Sequence, residues 1–198
     1  MSQRKEHLVE SNDIVRLAET ANFFTYPKFY DLIASNPDMR ILCEVGVWKG
    51  HSIRHLAKAL KERGGTFELY AVDLWDRTTD ADLAQDHKDT FPLLYEIYCH
   101  NLTEAGVRTD VFDIQGVSWE QATFFEDNTL DFCFIDAGHD KESIVKDLNA
   151  WYPKVRSGGI FAGHDIHHRP VVEALEELFG GKQLTIDKDQ DVWLLYKD

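Results

Sequence analysis

The sequence is short of cysteine, and its three thiols are widely spaced. Among 198 residues, only Cys43, Cys99 and Cys133 are cysteines. A disulfide framework needs many cysteines in an even number, and a cysteine-built zinc site needs paired thiolates a few residues apart. Cys43 and Cys133 lie inside apolar runs, where a free thiol packs as a small hydrophobe. The sequence therefore predicts neither a disulfide scaffold nor a cysteine-built metal site.

Basic charge and long apolar runs are also scarce. The chain has 21 Lys and Arg against 35 Asp and Glu, a formal net charge of -14. This balance disfavours binding of nucleic acid or anionic lipid through clustered basic residues. No stretch approaches the roughly 20 apolar residues that span a bilayer, and the amino-terminal MSQRKEHLVESND lacks an apolar signal core. We therefore expect a cytoplasmic protein with a small-molecule partner and no nucleic-acid or membrane binding.

Short apolar runs alternate with helical periodicity along the chain. Hydrophobic residues make up 43% of the sequence, which is enough for one buried core. No internal repeat or linker rich in Pro, Gly or Ser divides it. We expect one domain over residues 1–198, with a helical cap or lid segment in 1–40 and an α/β core in 41–198.

The apolar runs predict a doubly wound, Rossmann-like sheet. Four expected parallel strands are residues 41–46, 67–73, 111–115 and 130–136. The fourth is apolar through its centre and is expected to be central. Ser157, Gly158 and Gly159 are expected to turn the chain before a fifth strand at 160–163. Runs 183–187 and 192–196 lie so close together that they predict a C-terminal antiparallel hairpin on the mostly parallel sheet.

Ligands of open α/β sheets bind beyond the carboxyl ends of the strands, so the residues after each run are candidates. The first run leads into EVGVWKG, with Glu44, Gly46 and Gly50. The glycines allow a tight turn and close approach to a ligand, although a packing role explains them equally well. Their G-x-x-x-G spacing differs from the G-x-G-x-x-G of dinucleotide sites. Glu44 is placed to orient the ammonium of a methionine-like tail.

The second and third runs supply further candidates for binding a nucleoside. Asp73 ends the second run, 27 residues beyond Gly46, and a carboxylate there can accept hydrogen bonds from a ribose diol. Trp75 either packs on an adenine face or covers the core at its rim. Gly116 and Ser118 follow the third run, where the edge of an adenine is expected.

The segment 134–166, FIDAGHDKESIVKDLNAWYPKVRSGGIFAGHDI, is the most informative part of the chain. Together with EVGVWKG, VDLW and GVSW, it resembles the class I S-adenosylmethionine-dependent methyltransferases, in the branch of the macrolide-sugar O-methyltransferases. The resemblance covers roughly residues 40–180. It implies the class I methyltransferase fold and S-adenosylmethionine as cofactor.

The resemblance also implies a divalent cation at Asp136, His164 and Asp165. In that branch, acidic residues that end the fourth and fifth strands commonly hold a metal that binds the hydroxyls of the acceptor. Here His164 stands where the family often has a carboxylate, and imidazole suits Mn, Fe or Zn better than Mg. The alternative is that His164 orients the turn while Asp165 accepts hydrogen bonds from backbone amides.

His139 is the candidate catalytic base, together with Asp136. Some of the sugar methyltransferases that the chain resembles carry a histidine at this position, three residues after the aspartate. An alcohol must lose its proton as it attacks the sulfonium methyl, and a neutral imidazole can accept that proton. Asp136 is expected to hold the acceptor, directly or through a metal. The alternative for His139 is a solvated loop histidine.

We therefore expect an O-methyltransferase that acts on a sugar, polyketide or similar hydroxylated metabolite. The alternatives are an N-methyltransferase, a noncatalytic nucleoside-binding protein that retains the fold, and an NAD-dependent enzyme. The last is disfavoured because the middle glycine of the G-x-G-x-x-G motif is missing. The amino-terminal aromatic residues fit a lid, a contact in a homo-oligomer or a helix that covers the core; these residues are Phe23, Phe24, Tyr26, Phe29 and Tyr30.

Overall fold

The computed structural model describes residues 11–20, 22–76 and 85–198. Within these residues, seven strands form one sheet in the order β3-β2-β1-β4-β5-β7-β6. Strands β1 to β5 are parallel, and β7 pairs antiparallel with both β5 and β6. The strands are β1 (Ile41–Val45), β2 (Glu68–Asp73), β3 (Val111–Gln115), β4 (Leu130–Ile135), β5 (Val155–Gly163), β6 (Thr185–Asp187) and β7 (Val192–Tyr196).

This architecture confirms the predicted fold class, including the C-terminal hairpin. The fourth strand is central as expected, since three strands lie on either side of β4. All six of its residues are buried. Phe132 and Phe134 face one core layer, whereas Cys133 and Ile135 face the other. Alternate residues of one strand thus contribute to two cores, which explains why this run is apolar through its centre.

Helices cover both faces of the sheet. Helix α3 shows how the sequence sets its own limits: Ile53, Leu56 and Leu60 are fully buried at helical spacing, and the chain leaves the helix at Gly64, whose φ is 79°. The described helices are α1 (Ser11–Ala18), α2 (Pro27–Ser35), α3 (His51–Arg63), α4 (Leu94–Glu104), α5 (Ser118–Gln121), α6 (Lys141–Trp151) and α7 (Arg169–Phe179). Among the described residues, we find no helix with the length and apolar character needed to cross a bilayer.

The predicted turn before the fifth strand is wrong. Strand β5 already begins at Val155, so Ser157, Gly158 and Gly159 lie inside it. The register between β4 and β5 shifts between Leu130 and Phe132, and the glycines occupy this irregular stretch. Gly158 has a φ of 72°, and a Cβ on Gly159 would come within 2.9 Å of the Asp131 carbonyl oxygen. Glycine serves here to bend a strand rather than to end one.

The amino-terminal segment packs across the carboxyl edge of the sheet. Tyr26, Phe29 and Tyr30 are buried against the phenylalanines of β4, whereas Phe23 is 53% exposed. Lys49, on the turn after β1, is fully buried, and its ammonium donates hydrogen bonds to the carbonyl oxygens of Leu17 and Thr20 at 2.8 and 2.7 Å. These contacts fix the end of α1 beside the first strand. The polar stretch 76–89 predicts a loop over the site, and its residues 77–84 lie outside the described residues.

Candidate active site

A cavity of about 830 Å³ lies at the carboxyl edge of the sheet. Its wall includes the residues that follow five parallel strands, and the segment before α2 covers one side. The sheet order places the ends of β2 and β3 on one side of β1 and the ends of β4 and β5 on the other. The predicted site residues that line the cavity are Gly46, Asp73, Gly116, Ser118, Asp136, His139, His164 and Asp165.

The turn after β1 needs glycine for two different reasons. Gly46 has a φ of 87°, and a Cβ on it would lie 2.0 Å from the Asp136 carbonyl oxygen. Glycine therefore lets the first strand turn directly against the end of β4, at the cavity wall. Gly50 has a φ of 76°, but a Cβ there would meet the side chains of Tyr98 and Leu102. Gly50 therefore allows the start of α3 to pack closely against α4.

Glu44 lies beneath the cavity rather than in its wall. The hydroxyl of Tyr30 donates to Glu44 Oε2 at 2.9 Å, and the hydroxyl of Ser52 donates to Oε1. Burial raises the pKa of Glu44 to about 8, despite the opposing hydrogen bonds. Ser52 itself lines the cavity. Any effect of Glu44 on a ligand would therefore act through the position of Ser52.

Asp73 accepts hydrogen bonds from two turns at the cavity wall. Its Oδ2 accepts the backbone N–H of Trp48, and its Oδ1 accepts that of Trp75, both at 2.8 Å. Burial raises the pKa of Asp73, and these amide hydrogen bonds oppose the change. The indole of Trp75 is 2% exposed and packs on Tyr95 and Tyr98, outside the cavity wall. This placement corresponds to the core-covering alternative for Trp75.

The turn after β3 forms a further part of the wall. Gly116 has a φ of 155°, and a Cβ on it would come within 2.2 Å of the Gln121 amide nitrogen. Ser118 begins α5, and its side chain acts on the carboxyl group of Asp147 on α6, partly offsetting the burial that raises the pKa of that group to about 7. Asp147 also lines the cavity and is 1% exposed. Nothing in the sequence distinguishes Asp147, because an aspartate within a helical pattern gives no signal of burial.

Four predicted polar residues meet on the other side of β1. His139 Nε2 lies 2.8 Å from Asp165 Oδ2. His164 Nδ1 lies 3.3 Å from Asp165 Oδ1 and 3.5 Å from Asp136 Oδ1. Asp165 adopts a left-handed φ of 62°, which is unusual for a residue with a side chain and is often found at functional sites. The structure thus brings the candidate base and the candidate metal ligands into one cluster.

The ionisation of each group in this cluster depends on the charges of its neighbours. Burial disfavours the charged form of His164, but hydrogen bonds to Asp136 and Asp165 and their negative charges outweigh burial and raise its pKa to about 10. Burial likewise opposes ionisation of Asp165, yet its contacts with His139 and His164 lower its pKa overall. Without a metal ion, His164 is therefore expected to be an imidazolium that neutralises the carboxylates.

The structure adds partners that the sequence analysis missed. The hydroxyl of Tyr26 donates to Asp136 Oδ2 at 2.7 Å, and Thr25 Oγ1 lies 2.8 Å from His164 Nε2. Asp191 Oδ2, from the turn between β6 and β7, lies 3.8 Å from the same His164 nitrogen. Tyr26 belongs to the aromatic run noted in the sequence, but nothing in its spacing indicated a partner 110 residues away.

The cluster has the donor atoms of a transition-metal site. Among the described residues, Asp136, His139 and Asp165 each bring one ligand atom to within 4.8 Å of the others, as do His164, Asp165 and Asp191. Mixed imidazole and carboxylate donors suit Mn, Fe or Zn. In the predicted set of Asp136, His164 and Asp165, His164 Nδ1 lies within 3.5 Å of an oxygen of each carboxylate. The raised pKa of His164 means that this ring must lose a proton before it can bind a metal.

Comparison with known proteins agrees with this architecture. Structures with a similar fold include the O-methyltransferase NovP, which has 19% identity and a TM-score of 0.66, over 86% of this chain and 78% of that one. The O-methyltransferase TomG from Streptomyces achromogenes, solved in complex with SAM, has 18% identity and a TM-score of 0.63, over 96% and 91% of the chains. An O-methyltransferase from Bacillus cereus in complex with SAH has 17% identity and a TM-score of 0.60, over 94% and 90%.

The family comparison extends beyond the fold. No curated protein sequence matches the chain significantly. Residues 43–166, from β1 to the end of the polar cluster, match the family model described as a methyltransferase domain. This match confirms the resemblance seen in the sequence motifs, and the fold is that of the class I methyltransferases. The chain therefore belongs to the methyltransferase domain family.

Proposed function

We propose that this protein is an S-adenosylmethionine-dependent O-methyltransferase that acts on a small hydroxylated metabolite, such as a sugar or polyketide. The observation that carries the proposal is one continuous cavity with two chemically different sides. Asp73 and Gly116 lie on one side of β1, and Asp136 and His139 lie on the other. The volume of about 830 Å³ is near the upper end for small-molecule sites, which leaves space for a nucleoside cofactor and an acceptor.

The side formed by β1, β2 and β3 suits the cofactor. Each oxygen of Asp73 accepts one backbone N–H and keeps capacity for a ribose hydroxyl. Gly46 and Gly116 allow the close turns that form this part of the wall, where a Cβ would meet Asp136 and Gln121. Ser118 adds a polar contact at the edge of the cavity. S-adenosylmethionine, when bound there, supplies an electrophilic methyl group on a positively charged sulfur.

The side formed by β4 and β5 suits proton removal from an alcohol. A neutral His139 ring that donates its Nε2–H to Asp165 carries its lone pair on Nδ1, which is then the basic nitrogen. His139 would take the hydroxyl proton as the acceptor oxygen replaces the sulfur on the methyl carbon, and S-adenosylhomocysteine would be the leaving group. Asp136, oriented by the hydroxyl of Tyr26, can accept a hydrogen bond from a neighbouring hydroxyl of the acceptor. These contacts favour a hydroxylated acceptor over an isolated amine.

We also propose that the polar cluster holds a divalent cation, since its imidazole and carboxylate donors fit one. When bound, such an ion would lower the pKa of a coordinated hydroxyl. His139 cannot use the same lone pair both to bind a metal and to accept a proton. The cation therefore fits the base mechanism when it is held by Asp136 and Asp165, with His164 as a third ligand after loss of its proton.

Calorimetry and a methyl-transfer assay test the proposal. S-adenosylhomocysteine should bind, whereas NAD should not. Incubation with S-adenosylmethionine and pairs of acceptors that differ only in a hydroxyl or an amino group should yield methylated alcohols, detected by mass spectrometry. Tight binding of NAD alone would contradict the proposal, and preferential methylation of the amines would favour the N-methyltransferase alternative. Binding of the cofactor without transfer to any acceptor class would favour the noncatalytic alternative.

A further inference from the structure

The turn between β5 and α7 carries three histidines, of which only His164 belongs to the cation set proposed above. The other two, His167 and His168, also line the cavity. With Asp165 they form a further group of potential ligands, in which each residue brings one ligand atom to within 4.8 Å of the others. His168 Nε2 lies 4.0 Å from Asp165 Oδ1. Two imidazoles and a carboxylate thus meet at one point of the cavity wall.

The environment of His167 is typical of a metal ligand. Its Nδ1 is in hydrogen-bonding contact with Asp191 Oδ2, and its backbone N–H donates to Asp191 Oδ1 at 3.0 Å. Histidines that bind metals usually donate the N–H of their second ring nitrogen to a carboxylate or carbonyl, which fixes the tautomer and the orientation of the ring. When Nδ1 carries the ring proton, Nε2 is the nitrogen with the lone pair. Asp191 therefore prepares His167 to bind a cation through Nε2.

The backbone of the turn already holds these donors together. The carbonyl oxygen of Asp165 accepts the backbone N–H of His168 at 2.8 Å, which closes the turn. The ring centroids of His167 and His168 lie 4.2 Å apart. Binding of an ion would therefore require rotation of side chains rather than refolding of the turn, and such preorganisation lowers the free-energy cost of binding.

The donors of this second set differ from those of the first set, which is Asp136, His164 and Asp165. The first set has two carboxylates and one imidazole, which suit Mn²⁺, whereas the second has two imidazoles and one carboxylate, a combination found at catalytic zinc sites. We propose that Asp165, His167 and His168 bind a second cation, a Zn²⁺ ion, beside the first. The two ions share Asp165 as a bridging ligand. Three protein donors leave at least one coordination position for water or for an oxygen atom of a ligand in the cavity.

Two neighbouring cations repel each other, and carboxylates around them must offset this repulsion. Asp136 and Asp191 lie on either side of the shared Asp165 in the cluster, and each is close to one of its imidazoles. Within the described parts of the chain, Lys49 is the one Lys or Arg residue in the cavity wall, and its ammonium binds backbone carbonyl oxygens of the amino-terminal segment. Negative charge therefore predominates where the two ions would lie.

Calorimetric titration of the tag-free, chelator-treated protein with Zn²⁺, in the presence of excess Mn²⁺, tests the inference. Mn²⁺ should occupy the first set, so that the wild-type protein binds Zn²⁺ at the second. His167→Ala removes one of three donors and should weaken Zn²⁺ binding by at least the roughly 10- to 100-fold that loss of an outer partner costs. The matched control is His55→Ala, because His55 is also paired with an aspartate, Asp31, at 2.8 Å, but lies outside the cavity wall. This control should bind Zn²⁺ like the wild type.

The variant Asp136→Asn separates the two ions, because it removes a ligand of the first set only and should retain the Zn²⁺ affinity of the wild type. Zn²⁺ binding that is lost in Asp136→Asn but kept in His167→Ala would assign the ion to the first set and overturn the inference. Loss in both variants would indicate a single shared ion, and absence of Zn²⁺ binding by the wild type would leave no second site; either result also overturns it. Should His167→Ala not fold, His168→Gln removes another donor of the second set, and wild-type affinity in that variant would contradict the inference. None of these results bears on the proposed cofactor, which is tested separately by binding of S-adenosylhomocysteine.

Discussion

The ring of His139 and the carboxylate of Asp165 form a close pair, with 2.8 Å between Nε2 and Oδ2, although they follow different strands. His139 comes from the loop after β4, and Asp165 comes from the turn after β5. The pairing fixes the orientation of the ring and favours the tautomer with its proton on Nε2. A partly buried acidic partner of this kind commonly prepares a histidine for proton transfer.

The first prediction concerns this pair. His139→Ala should lower the rate of methyl transfer by about 10² to 10⁴, because the base is lost while the residues proposed for the cofactor lie across β1. Wild-type turnover should fall on acidification, since a protonated ring accepts no proton, and the variant should lose that step. Single-turnover rates across pH and parallel titrations with S-adenosylhomocysteine measure both effects. A variant with the wild-type rate and pH profile would remove His139 from the mechanism.

The second prediction concerns Asp73. Replacement by Ala should weaken binding of S-adenosylhomocysteine by about 1 to 3 kcal/mol, because ribose hydroxyls lose a buried acceptor. The same change leaves the backbone amides of Trp48 and Trp75 without their partner. We therefore expect a lower melting temperature of the ligand-free variant as well. Calorimetry at a temperature where the variant is fully folded separates the two effects, and unchanged affinity there would exclude Asp73 from binding.

The third prediction concerns the divalent cation. Asp165 belongs to each set of candidate ligands, so Asp165→Asn should weaken Mn²⁺ binding by more than about 10-fold in a calorimetric titration. Asp136→Asn should have a similar effect if the ion lies near the acceptor, whereas Asp191→Asn should then have little. The control Asp113→Asn changes a carboxylate paired with Arg108 outside the cluster. Full activity of metal-stripped protein in chelator would exclude a catalytic role for the ion.

The fourth prediction links the buried Glu44 to stability. Its pKa is near the ordinary value of 4.5 in the unfolded chain and about 8 in the folded one. Its stabilising contribution is therefore complete below pH 4.5 and is lost as the pH rises toward 8. Relative to Glu44→Gln, the free energy of unfolding of the wild type should fall by up to about 1.4 kcal/mol per pH unit within this window.

Urea denaturation of both proteins across that pH range measures the difference. The subtraction cancels the titration of other groups, provided that they are unaffected by the change. Glu62→Gln, on the exposed face of α3, should unfold in parallel with the wild type at each pH. A constant difference between wild type and Glu44→Gln across the window would show that burial does not control this carboxyl group.

Much of the fold could be predicted because buried parallel strands produce short apolar runs with polar residues at their ends. The third strand, 111–115, was predicted with its observed bounds, and the fourth was predicted one residue too long. The predicted fifth strand is too short, because Gly158 and Gly159 resemble a turn in sequence although they lie within β5. Glycine ends many strands, but only the register against β4 shows that here it lies within one.

The meeting of the polar residues could also be predicted, since the carboxyl ends of neighbouring parallel strands converge. Asp136 and Asp165 illustrate this rule, and their catalytic and metal-binding roles stay predictions. The contacts of Tyr26 and Asp191 could not be predicted, because they depend on how the amino-terminal segment and the final hairpin fold over the edge of the sheet. The orientation of Trp75 could not be predicted either. Its place just after β2 does not reveal whether the indole faces the cavity or the core.

The buried ammonium of Lys49 couples the order of the amino-terminal helix to the state of the cavity. Lys49 belongs to the same turn as Gly46, and its ammonium donates to the carbonyl oxygens of Leu17, in the last turn of α1, and Thr20, just after the helix. Local opening of α1 would leave that ammonium buried without acceptors, so the turn and the helix should unfold together. A ligand that binds against the turn should therefore also slow hydrogen exchange in a helix that it does not touch.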